Sequence, residues 1–131
     1  MCTTLLAAIV GLAASVATAE GASISLSFSW GKTPACGTGN PSVIASPAFK
    51  VGAVPKGTRS LRFLMTDLDA RGYYHGGGSA AYSGKGTVPA GAFRYKGPCP
   101  PGGAHTYQWS VEALDAGGKV LASGSARKRF P

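Results

Sequence analysis

Wherever the apolar positions of this chain recur regularly, they recur with period two. Ile24, Leu26, Phe28 and Trp30 alternate with Ser23, Ser25, Ser27 and Ser29, so a strand here turns one apolar face to a core and a row of hydroxyls to water. Ser60 to Thr66 predicts a second strand, with Leu61, Phe63 and Met65 in one row. His105 to Leu114 predicts a third, with Tyr107, Trp109, Val111 and Ala113 in one row, and Val120 to Phe130 a fourth. Weaker candidates lie around Ser42 to Val51 and Thr87 to Tyr95. No stretch of ten or more residues carries the apolar repeat of an amphipathic helix. Turn chemistry separates the runs: Pro55-Lys56-Gly57, Pro89-Ala90-Gly91, Pro98 to Gly103, and Asp115-Ala116-Gly117-Gly118. Gly76 to Ala81 (GGGSAA) reads as a flexible small-residue loop. Several short strands punctuated in this way predict an all-β, antiparallel β-sandwich with Greek-key-like connections and little helix.

The first residues stand apart from this pattern. Leu5 to Ala17 is an unbroken run of apolar and small residues, and Ala17-Thr18-Ala19 has the small-x-small form of a secretory cleavage site. The expectation is a signal peptide over 1–19 and a single domain over 20–131, exported to a periplasm or secreted. No Lys or Arg precedes the run, and a buried N-terminal helix is the alternative. The run is too short to anchor in a bilayer, and no other stretch predicts stable membrane insertion. Cys2 is too early, and wrongly flanked, for a lipoprotein cysteine. The roughly 112 residues left after cleavage suffice for one packed core. Cleavage leaves Cys36 and Cys99, either a single disulfide, as expected of an exported chain, or two separate buried thiols.

Thirteen Lys and Arg against five Asp and Glu leave a net charge of +8. The basic residues are scattered from Lys32 to Lys119, with one cluster at Arg127-Lys128-Arg129. There is no basic helix and no basic stripe interleaved with aromatics, so nothing beyond charge supports nucleic-acid binding, and none is expected. The charge suits solubility and attraction to anionic envelope surfaces.

The informative residues are polar groups in phase with apolar rows. The row Leu61, Phe63, Met65 continues through Asp67 and Asp69, so a carboxylate points inward, where it must be hydrogen-bonded or paired. His105 and Tyr107 share a row with Trp109 and Val111. His75 follows Asp69 across a short turn. Singly, such a histidine is ordinarily a satisfied core residue and such an aspartate a turn residue. Together they can be satisfied in one shared pocket. A carboxylate accepting from one imidazole nitrogen would leave the other to donate outward, Tyr107 would add an O–H, and Gly102 and Gly103 would let backbone N–H groups approach closely. That chemistry suits a phosphate, sulfate or carboxylate group, and two acidic walls also suit an attached ammonium.

At these residues the chain resembles the phosphatidylethanolamine-binding protein family, which includes Raf kinase inhibitor protein and bacterial exported relatives. Gly97-Pro98-Cys99-Pro100-Pro101-Gly102-Gly103-Ala104-His105-Thr106-Tyr107 is similar to the family's Gly-Pro-(Cys)-Pro-Pro-x-Gly-x-His-x-Tyr motif. Asp67-Leu68-Asp69-Ala70-Arg71 resembles its Asp-Pro-Asp-Ala-Pro motif, with Leu68 and Arg71 in place of both prolines, and His75 resembles the histidine that follows. Val54 to Ser60 and, more loosely, Cys36 to Pro41 with Ser46-Pro47 resemble further family segments. The segment after Asp115 is shorter than usual for the family, which makes this a compact variant. The resemblance implies an antiparallel β-sandwich whose small anion pocket is lined by Asp67, Asp69, His75, His105 and Tyr107.

Three function classes follow. The leading expectation is a non-catalytic binder of a small anionic ligand, a phosphate or phospholipid head group. The alternative, which the resemblance permits, is a protein-interaction module inhibiting a kinase or protease. An enzyme is not expected, since no Gly-x-Ser-x-Gly elbow is present. Neither a metal nor another cofactor is expected, because no His-x-x-x-His or Cys-x-x-Cys spacing supports one.

Overall fold

The computed structural model describes residues 22–131; the expected signal peptide lies outside the described residues. Ten strands make up the described regular structure: β1 (Ala22–Ser23), β2 (Ser25–Phe28), β3 (Val43–Ala45), β4 (Phe49–Gly52), β5 (Ser60–Asp67), β6 (Gly77–Ala81), β7 (Thr87–Val88), β8 (Arg94–Lys96), β9 (His105–Leu114) and β10 (Val120–Phe130). A five-stranded sheet runs in the order β1-β10-β9-β5-β6, a three-stranded sheet in the order β2-β4-β7, and β3 pairs with β8. The all-β expectation holds, and among the described residues no helix is long and apolar enough to cross a membrane.

The core forms where the in-phase rows of the two larger sheets meet. Leu61, Phe63 and Met65 of β5 and Tyr107, Trp109, Val111 and Ala113 of β9 are all buried, as the alternation requires. Phe28, Phe49 and Val51 face them from the smaller sheet. Phe49 stacks on Phe63 at 4.3 Å and meets the edge of Trp109 at 5.2 Å. Such aromatic pairs contribute about 0.5–1.5 kcal/mol each beyond the burial of their area. The central pair, β5 with β9, is antiparallel and sets Asp67 opposite Tyr107. That register carries the polar end of both apolar rows to one end of the sandwich.

Two local expectations need correction. The first strand breaks at Ile24: β1 pairs with β10, in parallel, while β2 pairs with β4 in the other sheet. Alternation survives the break, since Ile24 and Phe28 are buried in the same row, but alternation alone does not say to which neighbour each half belongs. The second correction is Gly76 to Ala81, which is not a loop beyond Gly76: Gly77–Ala81 is β6, antiparallel to β5. Its glycines hide the period-two signal because they have no side chains to alternate. They are there for packing, as a Cβ on Gly77 would stand 1.9 Å from the Phe63 carbonyl oxygen and one on Gly78 would stand 2.5 Å from Phe93 Cβ.

Candidate functional site

Where β5 ends and β9 begins, three in-phase polar residues, Asp67, His105 and Tyr107, border one cavity of about 190 Å³ together with His75. Asp67 is at its base and buried. Its Oδ2 accepts from His105 Nδ1 at 2.7 Å, and its Oδ1 accepts from the Asp69 N–H at 2.9 Å. The carboxylate therefore fixes the imidazole as the Nδ1–H tautomer and leaves His105 Nε2 for the cavity. The histidine side chain keeps 20% of its surface exposed against 5% for the aspartate, so the pair faces outward through the imidazole.

His75 arrives from the turn that follows β5, and β8 clamps it. The Lys96 N–H donates to the His75 carbonyl at 2.9 Å, and His75 Nδ1 donates to the Lys96 carbonyl at 2.7 Å. The buried ring thus also reserves Nε2 for the cavity. It meets the edge of the Tyr107 ring at 5.6 Å and tilts against Tyr73 at 4.7 Å. Burial first, and the charge of Asp67 second, push the Tyr107 phenol well above its ordinary pKa, so it remains an O–H at any physiological pH.

The remaining wall comes from two loops joined covalently. Cys36 and Cys99 form a disulfide, which brings the segment after Cys36 against Pro98 to Pro101. The Gly39 N–H donates to the Cys99 carbonyl at 3.0 Å, and the Thr38 N–H to Cys99 Sγ at 3.3 Å. Gly39, Pro41, Pro100 and Pro101 line the cavity as a result. A disulfide also fits an oxidising compartment.

Two residues singled out from sequence stand elsewhere. Asp69 is exposed at the rim, where its Oδ2 accepts from the Thr106 N–H at 2.7 Å and holds the β5–β9 corner closed. Gly102 lies on the exposed tip of its turn with φ +75°, outside the cavity lining; it is the prolines before it that face inward. Tyr73, Gly39 and Pro41 also line the cavity, and strand spacing does not place them there because their positions depend on the disulfide and on the path of the turn. The aromatic Tyr73, two residues before His75, was the one local hint.

Donor atoms of Asp67, Asp69 and His105 lie within 4.8 Å of one another, close enough to share a cation. Both Asp67 oxygens and one of Asp69 already accept protein hydrogens, which leaves each of these oxygens one lone pair. The cavity presents two imidazole nitrogens and a phenol, backed by satisfied carboxylates.

No protein-family model and no curated protein matches the chain. Solved structures do. A phosphatidylethanolamine-binding protein homolog from Chlamydia trachomatis superposes with a TM-score of 0.56 at 17% identity, over 83% of this chain and 97% of that one. YbcL of Escherichia coli, described as a member of the mammalian PEBP family, superposes with a TM-score of 0.59 at 18% identity, over 83% of this chain and 98% of its own. With its polar cavity at the junction of β5 and β9, the chain has the fold of the phosphatidylethanolamine-binding proteins.

Proposed function

We propose that the chain is an exported, non-catalytic binding protein whose cavity takes a small anion, a phosphate-bearing or carboxylate head group. The observation that carries this reading is the Asp67–His105 pair at 2.7 Å, which commits the Nδ1–H to the carboxylate and turns Nε2 to the cavity, where it accepts a hydrogen from the ligand, or donates one when the ring is protonated. His75 is held in the same tautomer by Lys96, and Tyr107 keeps its proton. The protein's net charge of +8 raises the local concentration of anions.

Size narrows the ligand. A cavity of about 190 Å³ has the liquid volume of roughly six waters, enough for a head group and too little for a whole lipid. The exposed carboxylate of Asp69 at the rim suits an ammonium attached to the anion. Among the described residues no serine or threonine lines the cavity, and the cysteine that does is in the disulfide, which supports binding over nucleophilic catalysis.

Titration calorimetry with inorganic phosphate, phosphoethanolamine and acetate is the test. Phosphoethanolamine is expected to bind most tightly, and His105→Ala to abolish the heat. Absence of binding by all three, or an unchanged isotherm in His105→Ala, would overturn the reading.

A further inference from the structure

A second site lies on the opposite face of the central sheet, and its chemistry is different. The outer rows of β5 and β9 leave Arg62, Leu64, Ser110 and Glu112 exposed or half-exposed. A cleft of about 310 Å³ opens between these residues, β6 and Tyr74. Tyr74 is 74% exposed, the most exposed of the large hydrophobic residues. An aromatic ring left in water beside a cleft offers a flat apolar face with no partner in the described fold. The ring stands over Gly76, and Gly77 and Gly78 add bare backbone to the cleft wall, so no side chain blocks a flat ligand from reaching it.

Lining the same cleft is a paired donor and acceptor. Arg62 Nε and Nη2 both donate to Glu112 Oε1, at 3.1 and 2.9 Å. The pairing holds both side chains in place across the β5–β9 register. It leaves the remaining N–H groups of Arg62 as donors and Oε2 of Glu112 as an acceptor, on groups that remain 51% and 40% exposed. The charges of the pair cancel, so the cleft repels neither sign and concentrates neither.

We propose that this cleft is a binding site for neutral pyranose saccharides. The apolar C–H face of a sugar ring lies on the Tyr74 ring, and two adjacent hydroxyls engage the pair, one donating to Glu112 and the other accepting from Arg62. The Ser79 hydroxyl lies within the same lining. An inorganic or lipid phosphate gains no net attraction here, because Glu112 already cancels the charge of Arg62. The site is independent of the polar cavity, which shares none of its residues.

The experiment is an amide-resolved NMR titration of the intact chain with cellohexaose, maltohexaose and chitohexaose. At least one is expected to shift the Gly77, Gly78 and Ser79 amides while leaving the His105 amide unmoved. Tyr74→Ala is expected to weaken binding by about tenfold or more, the loss typical of a central aromatic anchor, and Tyr74→Phe to retain it. Glu112→Gln is expected to weaken it while the β5–β9 amides keep their positions. The proposal is overturned if none of the three sugars shifts the β6 amides, or if Tyr74→Ala titrates like the parent. Shifts confined to the polar cavity overturn it equally.

Discussion

Tyr95 is buried in the core, and its hydroxyl has no hydrogen-bond partner among the described residues. The neighbouring Thr33 hydroxyl donates to the Trp30 carbonyl and stands outside hydrogen-bonding geometry with it. Burial pushes the Tyr95 pKa up to about 12, and Tyr107 is raised as well, by burial and then by Asp67. A tyrosine in the unfolded chain ionises near pH 10. Above that pH the unfolded chain releases protons that the native state still holds, so stability is intact below about pH 10 and falls as pH rises toward 12. Urea unfolding from about pH 8 upward should show this fall, and Tyr95→Phe should remove up to about 2 kcal/mol of it. At neutral pH the same substitution should be neutral or stabilise by up to about 1 kcal/mol, because it deletes a buried polar group that nothing satisfies.

At the scale of elements, β6 is the strand whose sequence conceals it. Gly77 lies against the backbone of β5 and Gly78 against the Phe93 ring. Gly77→Ala is expected to destabilise by more than about 3 kcal/mol, since a backbone carbonyl cannot move aside. Gly78→Ala should cost about 1–3 kcal/mol, since an aromatic ring can shift. Thermal unfolding of the two variants checks the order; equal losses would mean that β6 is not pinned where the register places it. Asp67 and His105 behaved differently. Each is in phase with a strong apolar row, so their inward direction could be read from spacing, and the antiparallel pairing of β5 with β9 supplied the contact. His75 had no such row. Its place depends on Lys96, 21 residues away, and sequence spacing carries no information about that clamp.

For the molecule as a whole, the Cys36–Cys99 disulfide joins positions 63 residues apart and closes the wall of the polar cavity. In the chain-entropy model such a cross-link stabilises by about 4 kcal/mol. The double variant Cys36→Ser, Cys99→Ser is therefore expected to lose up to about 4 kcal/mol in urea unfolding. It should also weaken anion binding, because Gly39 and Pro41 are then tethered only by hydrogen bonds. Unchanged stability on removal of the cross-link would show that the unfolded state is not the place where it acts.

The amino-acid sequence by itself determined the alternation of β5 and β9, the turns between strands, the inward carboxylate and imidazole, and the pair of cysteines. These depend on residues close together in the chain, where side-chain direction follows from the two-residue strand repeat. Only the tertiary structure decided that the first strand divides between two sheets, that a run of glycines is a strand, that His75 joins the cavity while Gly102 stays outside it, and that Tyr74 shares a cleft with Arg62 and Glu112. Those outcomes rest on contacts between distant segments, where backbone hydrogen bonds and close packing choose among partners that local pattern treats as equivalent.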